Sequence, residues 1–585
     1  MPTKNKSLLT NPTLYVCGLV MLYYLLPSVT LAKNNVITDA FGVNIHLRQR
    51  HVEEDWSEVL TMASDAGVQW GREQFNWDVI EPSDDSYNFE TYDAVVDAYE
   101  TAGIEMVGLL TYSSSWASDN PGATDYEFYP PDLDAWSNYV ETVTQRYAGR
   151  VTYWEIWNEP NHDSFWTGDE GDYADLLDSA IAAAKQGNPD AKIIFGGLSG
   201  SDYTFLETVL PLLDDTSEID VMAIHPYRTS NDNLNYGPEA TASGLNTLPI
   251  DLYNVKAVLN RFEMATVPLW LTEVGWQTGD DGVSNRRQAE YLTRLYTMAL
   301  AIPDVEKVFW YSLVDTTDDE SVSDSQFGLF EDDFTPKVSA NAYKFVVEEL
   351  TGQWFKDATL PGAAVLDSFT TSAGWHFAGT VCTNGSIDDH DSGKMTVRYT
   401  FTDTDNCYAP VTLGETLPVG TQVLQFKAKG DNSSTVLRVR VTDSMGETFQ
   451  YSLGYLPKEW LYYNVQLNQP STWWNGNHDG KLDQPLTFDS FVLDDADGLE
   501  ESGLVQFDDV ITSRRQNIYL YRFHANHKDK YAYWSAAKQH RLRILLAGAG
   551  RITERIWRYE DVKYKSGDGY YRLRARRAVT FLQTR

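Results

Sequence analysis

Cysteine is nearly absent from this chain. Three occur in 585 residues, Cys17, Cys382 and Cys407, and none has His or Cys neighbours at zinc-ligand spacing, which leaves little basis for a bound metal cluster. Cationic residues are also scarce, 46 Lys and Arg against 84 Asp and Glu for a net charge of −38. Nucleic acid and anionic membrane surfaces are polyanions that bind through Lys and Arg, so this balance argues against both as partners. It suits a neutral ligand and a soluble protein in a salt-exposed setting. There is no internal repeat and no long low-complexity segment. Beyond the first 32 residues no stretch is apolar enough to span a membrane. Those residues place Lys4 and Lys6 before an apolar run from about Leu14 to Leu26, then Thr30-Leu31-Ala32 with small residues where signal peptidase reads. They are expected to form a secretory leader, 1–32, that delivers the protein outside the cell or to a periplasm, with an uncleaved anchor as the alternative. Cys17 precedes most of the apolar run and lacks a lipoprotein box. An oxidising compartment would permit Cys382 and Cys407 to pair.

What is abundant is aromatic surface, with 18 Trp, 35 Tyr and 24 Phe. Packing accounts for most of it, but flat rings are also what sugars stack on. The length suggests three or four units. From about residue 41 to 350, short apolar runs alternate with amphipathic helical periods, and eight candidate strands can be named: 41–46, 70–77, 104–112, 151–157, 192–197, 220–225, 268–274 and 305–313. Helical stretches such as 91–102, 134–147, 173–185 and 288–301 lie between them. This alternation predicts an α/β fold, a (β/α)8 TIM barrel over 33–355. After Thr351 the helical period disappears, and alternating strands split by Gly, Asp and Asn turns predict a β-sandwich over 362–513. From Ser513 onward there are 18 Lys and Arg against 5 Asp and Glu, whereas the preceding part carries 28 basic and 79 acidic residues. A small basic β-domain, 514–585, packed on its acidic neighbour is expected.

The most informative residues are W-E-I-W-N-E-P-N, 154–161. A β-branched and aromatic run ends at Pro160, which removes a backbone donor, so Asn158 and Glu159 stand at the tip of a strand. In a parallel barrel that tip is where catalytic groups collect. A second acid, Glu273 in L-W-L-T-E-V-G-W (269–276), stands at the end of another apolar strand with Trp close by. By strand order these are strands four and seven. Two carboxyl groups about 5 Å apart serve retaining glycoside cleavage, one protonating the leaving oxygen and one attacking the anomeric carbon. Asp367 near the start of the sandwich and Asp508 near its end could share a structural calcium ion, although surface turn acidity is the preferred reading. The acidic loop 315–324 lacks a metal-binding spacing.

The motif 154–161 followed by Phe165-Trp166, with Glu273 on the seventh strand, resembles glycoside hydrolases of clan A and most closely family 39. The resemblance covers roughly residues 41–350 and implies Glu159 as acid/base, Glu273 as nucleophile and no organic cofactor or catalytic metal. It further implies Arg72 as the cation beside the nucleophile, Asn158 as the holder of the sugar 2-hydroxyl, His225 and Tyr227 as a pair positioning nucleophile and substrate, and Trp310 as an aromatic platform. Trp276 and His46 join the candidate substrate-binding set. Many clan members carry a histidine at the tip of strand three, where this chain has Tyr112 and Trp116. The sandwich resembles a jelly-roll carbohydrate-binding module, with Trp473 and Trp474 as stacking candidates. The expected activity is hydrolysis of β-glycosidic bonds in a polysaccharide, by endo action. The alternatives are an exo-acting enzyme such as a β-xylosidase and, from another class, a non-catalytic polysaccharide-binding protein. Neither the sugar nor the oligomeric state follows from these residues.

Overall fold

The computed structural model describes residues 36–585 except 230–234, 242–245, 320, 323–324, 361, 372–373, 389–392, 403–406, 432–433, 496–501, 538, 545–550, 558, 565–570 and 585. The expected leader, 1–32, therefore lies outside the described residues, as does part of the acidic loop 315–324.

Eight parallel strands close into a barrel: β1 (Phe41–Asn44), β2 (Trp70–Asn76), β3 (Glu105–Thr111), β4 (Tyr153–Asn158), β5 (Lys192–Ser199), β6 (Ile219–His225), β7 (Leu269–Val274) and β8 (Val305–Trp310), with β8 paired to β1. All eight are the runs expected from the apolar pattern. They read as nearly continuous apolar stretches because barrel strands are buried on both faces; in β3 every residue after Glu105 is buried. A helix follows each strand, and several begin on side-chain caps that satisfy otherwise orphaned amides. Asp132 accepts from Ala135 N before Leu133–Arg146, Ser284 accepts from Arg287 N before Asn285–Ala299, and Asp169 and Asp172 form a reciprocal capping box before Glu170–Gly187. At the end of the barrel where the strands begin, Trp70, Tyr153, Trp270 and Phe309 fill the interior, with Lys307 Nζ 4.1 Å from the Trp70 ring centre. Packed aromatics close this end, so ligand access is from the other.

Two six-stranded antiparallel sheets follow, built from segments between Ala364–Asp367 and Ser502–Ser513. Phe426, Phe491 and Phe507 pack between them, Phe491 and Phe507 with ring centres 4.1 Å apart. Cys382 and Cys407 are joined as a disulfide. The two carboxylates weighed as a calcium site each have protein partners. Both oxygens of Asp367 accept from protein donors, Phe369 N at 2.7 Å and Trp375 Nε1 at 2.7 Å, while Asp508 pairs with Lys427. Among the described residues, the groups close enough to share a cation are Glu159–His225–Glu273 and Glu81–Asp84–Asp85, and neither includes them. Trp473, on the edge strand Thr472–Asn475, is 42% exposed; Trp474 is half-buried, with the Arg440 guanidinium 5.3 Å from its ring centre.

A further antiparallel sheet takes five strands from the basic C-terminal segment and a sixth, Trp354–Thr359, from the stretch directly after the barrel. The chain thus contributes to this sheet before it enters the sandwich, a crossing that local sequence pattern does not reveal. Residues Asn34–Arg585 form one compact unit. Charge complementarity holds the basic segment: Lys530 Nζ reaches Glu349 at 3.0 Å, and Arg555 also pairs with Glu349. Within the helix Asn285–Ala299, buried Arg294 donates to Glu239 at 2.7 Å and to the carbonyl of Arg577 at 2.6 Å, tying barrel to sheet. Among the described residues no helix is long and apolar enough to cross a membrane.

Arg294→Met would leave Glu239 as a buried charge without its partner and cost about 3–5 kcal/mol. A urea-unfolding midpoint unchanged from the parent protein would contradict this, and Glu239→Gln added to Arg294→Met should recover part of the loss.

Candidate active site

Buried on the second strand, Arg72 directs its five N–H groups to five acceptor atoms. Two go to Glu155, Nε to Oε2 at 2.9 Å and Nη2 to Oε1 at 3.0 Å. One each goes to Asn44 Oδ1 at 3.1 Å, Glu273 Oε1 at 2.6 Å and Asn158 Oδ1 at 3.0 Å. Strands β1, β2, β4 and β7 are thereby joined through one guanidinium, whose planar fork suits bidentate carboxylate binding. The flanking carboxylates raise the Arg72 pKa against the opposing effect of burial.

Glu159 sits just past β4, 8% exposed, with its amide donating to Gly197 O at 2.9 Å. Both Trp157 and Glu159 lie in the left-handed region, with φ of 69° and 46°. Bulky residues rarely adopt it, and such strain is retained where surrounding structure imposes it. His225 Nδ1 contacts Glu159 Oε1 at 2.8 Å, and its Nε2 contacts Thr272 Oγ1 at 3.1 Å. Tyr227 donates to Glu273 Oε2 at 2.9 Å. Oxygens of Glu159 and Glu273 and a nitrogen of His225 lie within 4.8 Å of one another. Burial pushes the Glu273 pKa up, but the charge field of His225, the adjacent Arg72 and the hydrogen bonds from Tyr227 and Arg72 together leave it below the ordinary glutamate value. The carboxylate is held ionised. Gly197 is needed for close approach: a Cβ there would stand 2.1 Å from His225 Nε2 and 2.8 Å from Glu155 Oε1.

Arg72, Asn158, Glu159, His225, Tyr227 and Glu273 are thus brought together as expected, with one change. The resemblance assigned His225 together with Tyr227 to the nucleophile and substrate, whereas His225 hydrogen-bonds Glu159, and Tyr227 alone of the two hydrogen-bonds Glu273. His46 also stands at the mouth, 7% exposed, its ring edge-on to Tyr311 with centres 5.6 Å apart. Its Nε2 is buried without a partner among the described residues. Burial, with Arg50, Arg72 and His51 nearby, pushes its pKa well down, so the ring is neutral. At the tip of β3, Tyr112 stands edge-on to Trp157, with ring centres 5.4 Å apart.

Trp310 is no open platform. It is fully buried, with Nε1 donating to Phe327 O at 3.0 Å, and it packs beside Trp276, itself tied to Tyr236 O at 2.8 Å. The aromatic at the mouth is the next residue, Tyr311, packed between His46, Tyr227 and Phe327. A shift of one residue along an extended segment moves a side chain to the other face, and sequence does not fix where a strand ends. Asn44, Glu155, Arg50 and Thr272 were not singled out by sequence reasoning. Alternation could have found two of them, since Glu155 lies four residues before Glu159 and Asn44 two before His46.

A family model described as "Glycosyl hydrolases family 39" matches residues 43–356. Among solved structures, a family 39 glycoside hydrolase from the gut symbiont Bacteroides cellulosilyticus WH2 aligns with a TM-score of 0.57 and 18% identity, over 95% of this chain and 82% of that one. A GH39 enzyme from Xanthomonas axonopodis pv. citri aligns with a TM-score of 0.42 and 14% identity, over 81% and 94% of the two chains. A monomeric β-xylosidase from Caulobacter crescentus CB15 gives 0.41 and 13%, over 81% and 96%.

Proposed function

The chain belongs to glycosyl hydrolases family 39, and from that premise we propose that it cleaves β-glycosidic bonds in a polysaccharide by double displacement, with Glu273 as nucleophile and Glu159 as acid/base. The observation that carries this reading is the close approach of the two carboxylates, oxygens within 4.8 Å, in the range used by retaining enzymes rather than the wider gap that admits a water. Glu159 protonates the glycosidic oxygen as Glu273 attacks the anomeric carbon and forms a glycosyl-enzyme. Glu159 then takes a proton from water, which attacks the same carbon and frees Glu273. Asn158 accepts from Arg72 through Oδ1, so its Nδ2 is oriented as a donor for the sugar 2-hydroxyl, a contact that strengthens in the transition state. His225 orients Glu159, and Arg72 with Tyr227 keeps Glu273 ionised for attack. These steps need no organic cofactor and no metal.

We assign endo action because a β-sandwich travelling with the barrel is more useful on a polymer than on a disaccharide. Exposed Trp473 is our candidate for glycan stacking on it. The apolar run behind Lys4 and Lys6 supports export.

Glu273→Ala should lower hydrolysis about 10⁴-fold or more, because a nucleophile acts with its partners as a unit. Full activity in that variant would overturn the mechanism. Activity requires ionised Glu273, whose native pKa lies below the usual value, so the acid limb of kcat/KM should fall below pH 4.5. Removing the hydroxyl in Tyr227→Phe takes away a bond that favours the ionised form and should raise this limb by about one pH unit; a limb that stays put would mean Tyr227 does not tune Glu273. Digestion of a defined oligosaccharide should release mixed internal fragments, whereas release of terminal monosaccharide alone would establish exo action.

A further inference from the structure

Strands β4, β6 and β7 bring a hydroxyl and an imidazole into one buried line between two carboxylates. Thr272 stands on β7 immediately before Glu273, fully buried, and its carbonyl accepts from Asn44 Nδ2 at 2.9 Å. Its hydroxyl lies between His225 Nε2 at 3.1 Å and Glu155 Oε1 at 3.4 Å. The other ring nitrogen, Nδ1, is 2.8 Å from Glu159 Oε1. The line therefore runs from Glu155 through Thr272 and His225 and ends on the acid/base.

The direction of the hydrogen bonds along it follows from Glu155. That side chain accepts from Arg72 at two points and from the amide of Gly197 at 2.9 Å, and as the partner of a guanidinium it is a carboxylate, which only accepts. The single proton of the Thr272 hydroxyl therefore points to Oε1, because the opposite orientation would set a hydroxyl lone pair against a carboxylate oxygen. Thr272 then has only lone pairs to offer His225, and Nε2 must carry the ring proton. Nε2 and Glu155 Oε1 are 4.0 Å apart, too far for a direct bond, so the hydroxyl is what links them. β-Branching restricts the rotamers of Thr272, and the missing side chain of Gly197 keeps the space around Nε2 open.

With the proton on Nε2, Nδ1 presents a lone pair. The charged and titratable groups around the ring are Glu155 on the Nε2 side and, on the Nδ1 side, Glu159 and, at 4.0 Å, Glu273. Arg72 binds both Glu155 and Glu273, and Tyr227 also holds Glu273, so the acid that Nδ1 meets is Glu159. We propose that Thr272 is a positioning residue for the acid step: it holds His225 as the Nε2–H tautomer, so that Nδ1 accepts the proton of Glu159 and keeps the acid loaded until a glycosidic oxygen takes it. The proposal rests on the glycosidase reading above. In the first half-reaction the proton passes from Glu159 to the leaving oxygen. In the second, Glu159 recovers one from the attacking water and returns it to the contact with Nδ1, so the ring ends the cycle as it began. The other tautomer would act in reverse, since an Nδ1–H donating to Glu159 favours the ionised carboxylate.

Neutron diffraction from the native protein exchanged into heavy water should show a deuteron on Nε2 of His225; a deuteron on Nδ1 alone would overturn the proposal without reference to any substrate. The kinetic test compares Thr272→Val, which keeps the shape of the side chain but not the hydroxyl, with Thr272→Ser, which keeps the hydroxyl. Phenyl and 2,4-dinitrophenyl β-xylosides and β-glucosides serve as probes, because a departing phenolate needs a proton and a dinitrophenolate does not. Thr272→Val should lower kcat/KM at least about tenfold for the phenyl glycoside and less than about threefold for the dinitrophenyl one, and should move the basic limb of the phenyl profile down by about one pH unit. Thr272→Ser should match the native enzyme in both readouts. Equal losses on the two leaving groups, or a basic limb that does not move, would make Thr272 a packing residue and end the proposal. Cleavage of no aryl glycoside, together with failure of 2-deoxy-2-fluoro glycosides to label Glu273, would instead sink the glycosidase reading and the role of Thr272 in an acid step with it.

Discussion

The site depends on a single buried guanidinium. Arg72 cannot lose its proton, and a lone cation at that depth would be prohibitively costly, so the barrel must surround it with acceptors. It does so with Glu155 in two-point contact, and with Asn44, Asn158 and Glu273 around the remaining N–H groups. Each acceptor comes from a strand that the arginine then cannot release without exposing an unpaired charge. The same interaction that closes the electrostatic balance therefore fixes where Glu273 and Asn158 stand, and a reacting sugar meets groups that are already oriented.

Around this centre, aromatic residues have two separate tasks. Trp157, Trp276 and Trp310 are buried and give the strand tips a rigid wall. Tyr227 and Tyr311 keep their rings together near the mouth and their hydroxyls on charged groups, Glu273 and Arg50 respectively. The basic C-terminal segment has its own electrostatic logic, since its Lys530 and Arg555 are spent on Glu349 of the last barrel helix. Part of its positive charge is thus a means of attachment.

Much of the fold was legible in the chain because barrel strands, buried on both faces, leave apolar runs that contrast sharply with amphipathic helices. All eight strands and the helices expected at 91–102, 134–147, 173–185 and 288–301 followed from that contrast. The sheet that borrows Trp354–Thr359 did not, because pairing with Ile518–Ala525 spans a sequence separation over which no local pattern acts. The pair Asp367 and Asp508 shows the same gap from the other side: acidity is visible in sequence, but the Trp375 indole and the Lys427 ammonium that occupy these carboxylates are not.

The sequence by itself determined which strands end in carboxylates, and with them Glu159 and Glu273, since a motif at a strand tip is a local fact and the strand order of a barrel places tips four and seven at one mouth. Only the tertiary structure decided who holds them: His225 on Glu159, Tyr227 and Arg72 on Glu273, Tyr311 rather than Trp310 at the opening, and Arg50 beside it. The reason is geometric. Partner choice depends on distances of a few ångströms between residues far apart in the chain, and on a one-residue change of face where a strand stops, and neither is written in periodicity.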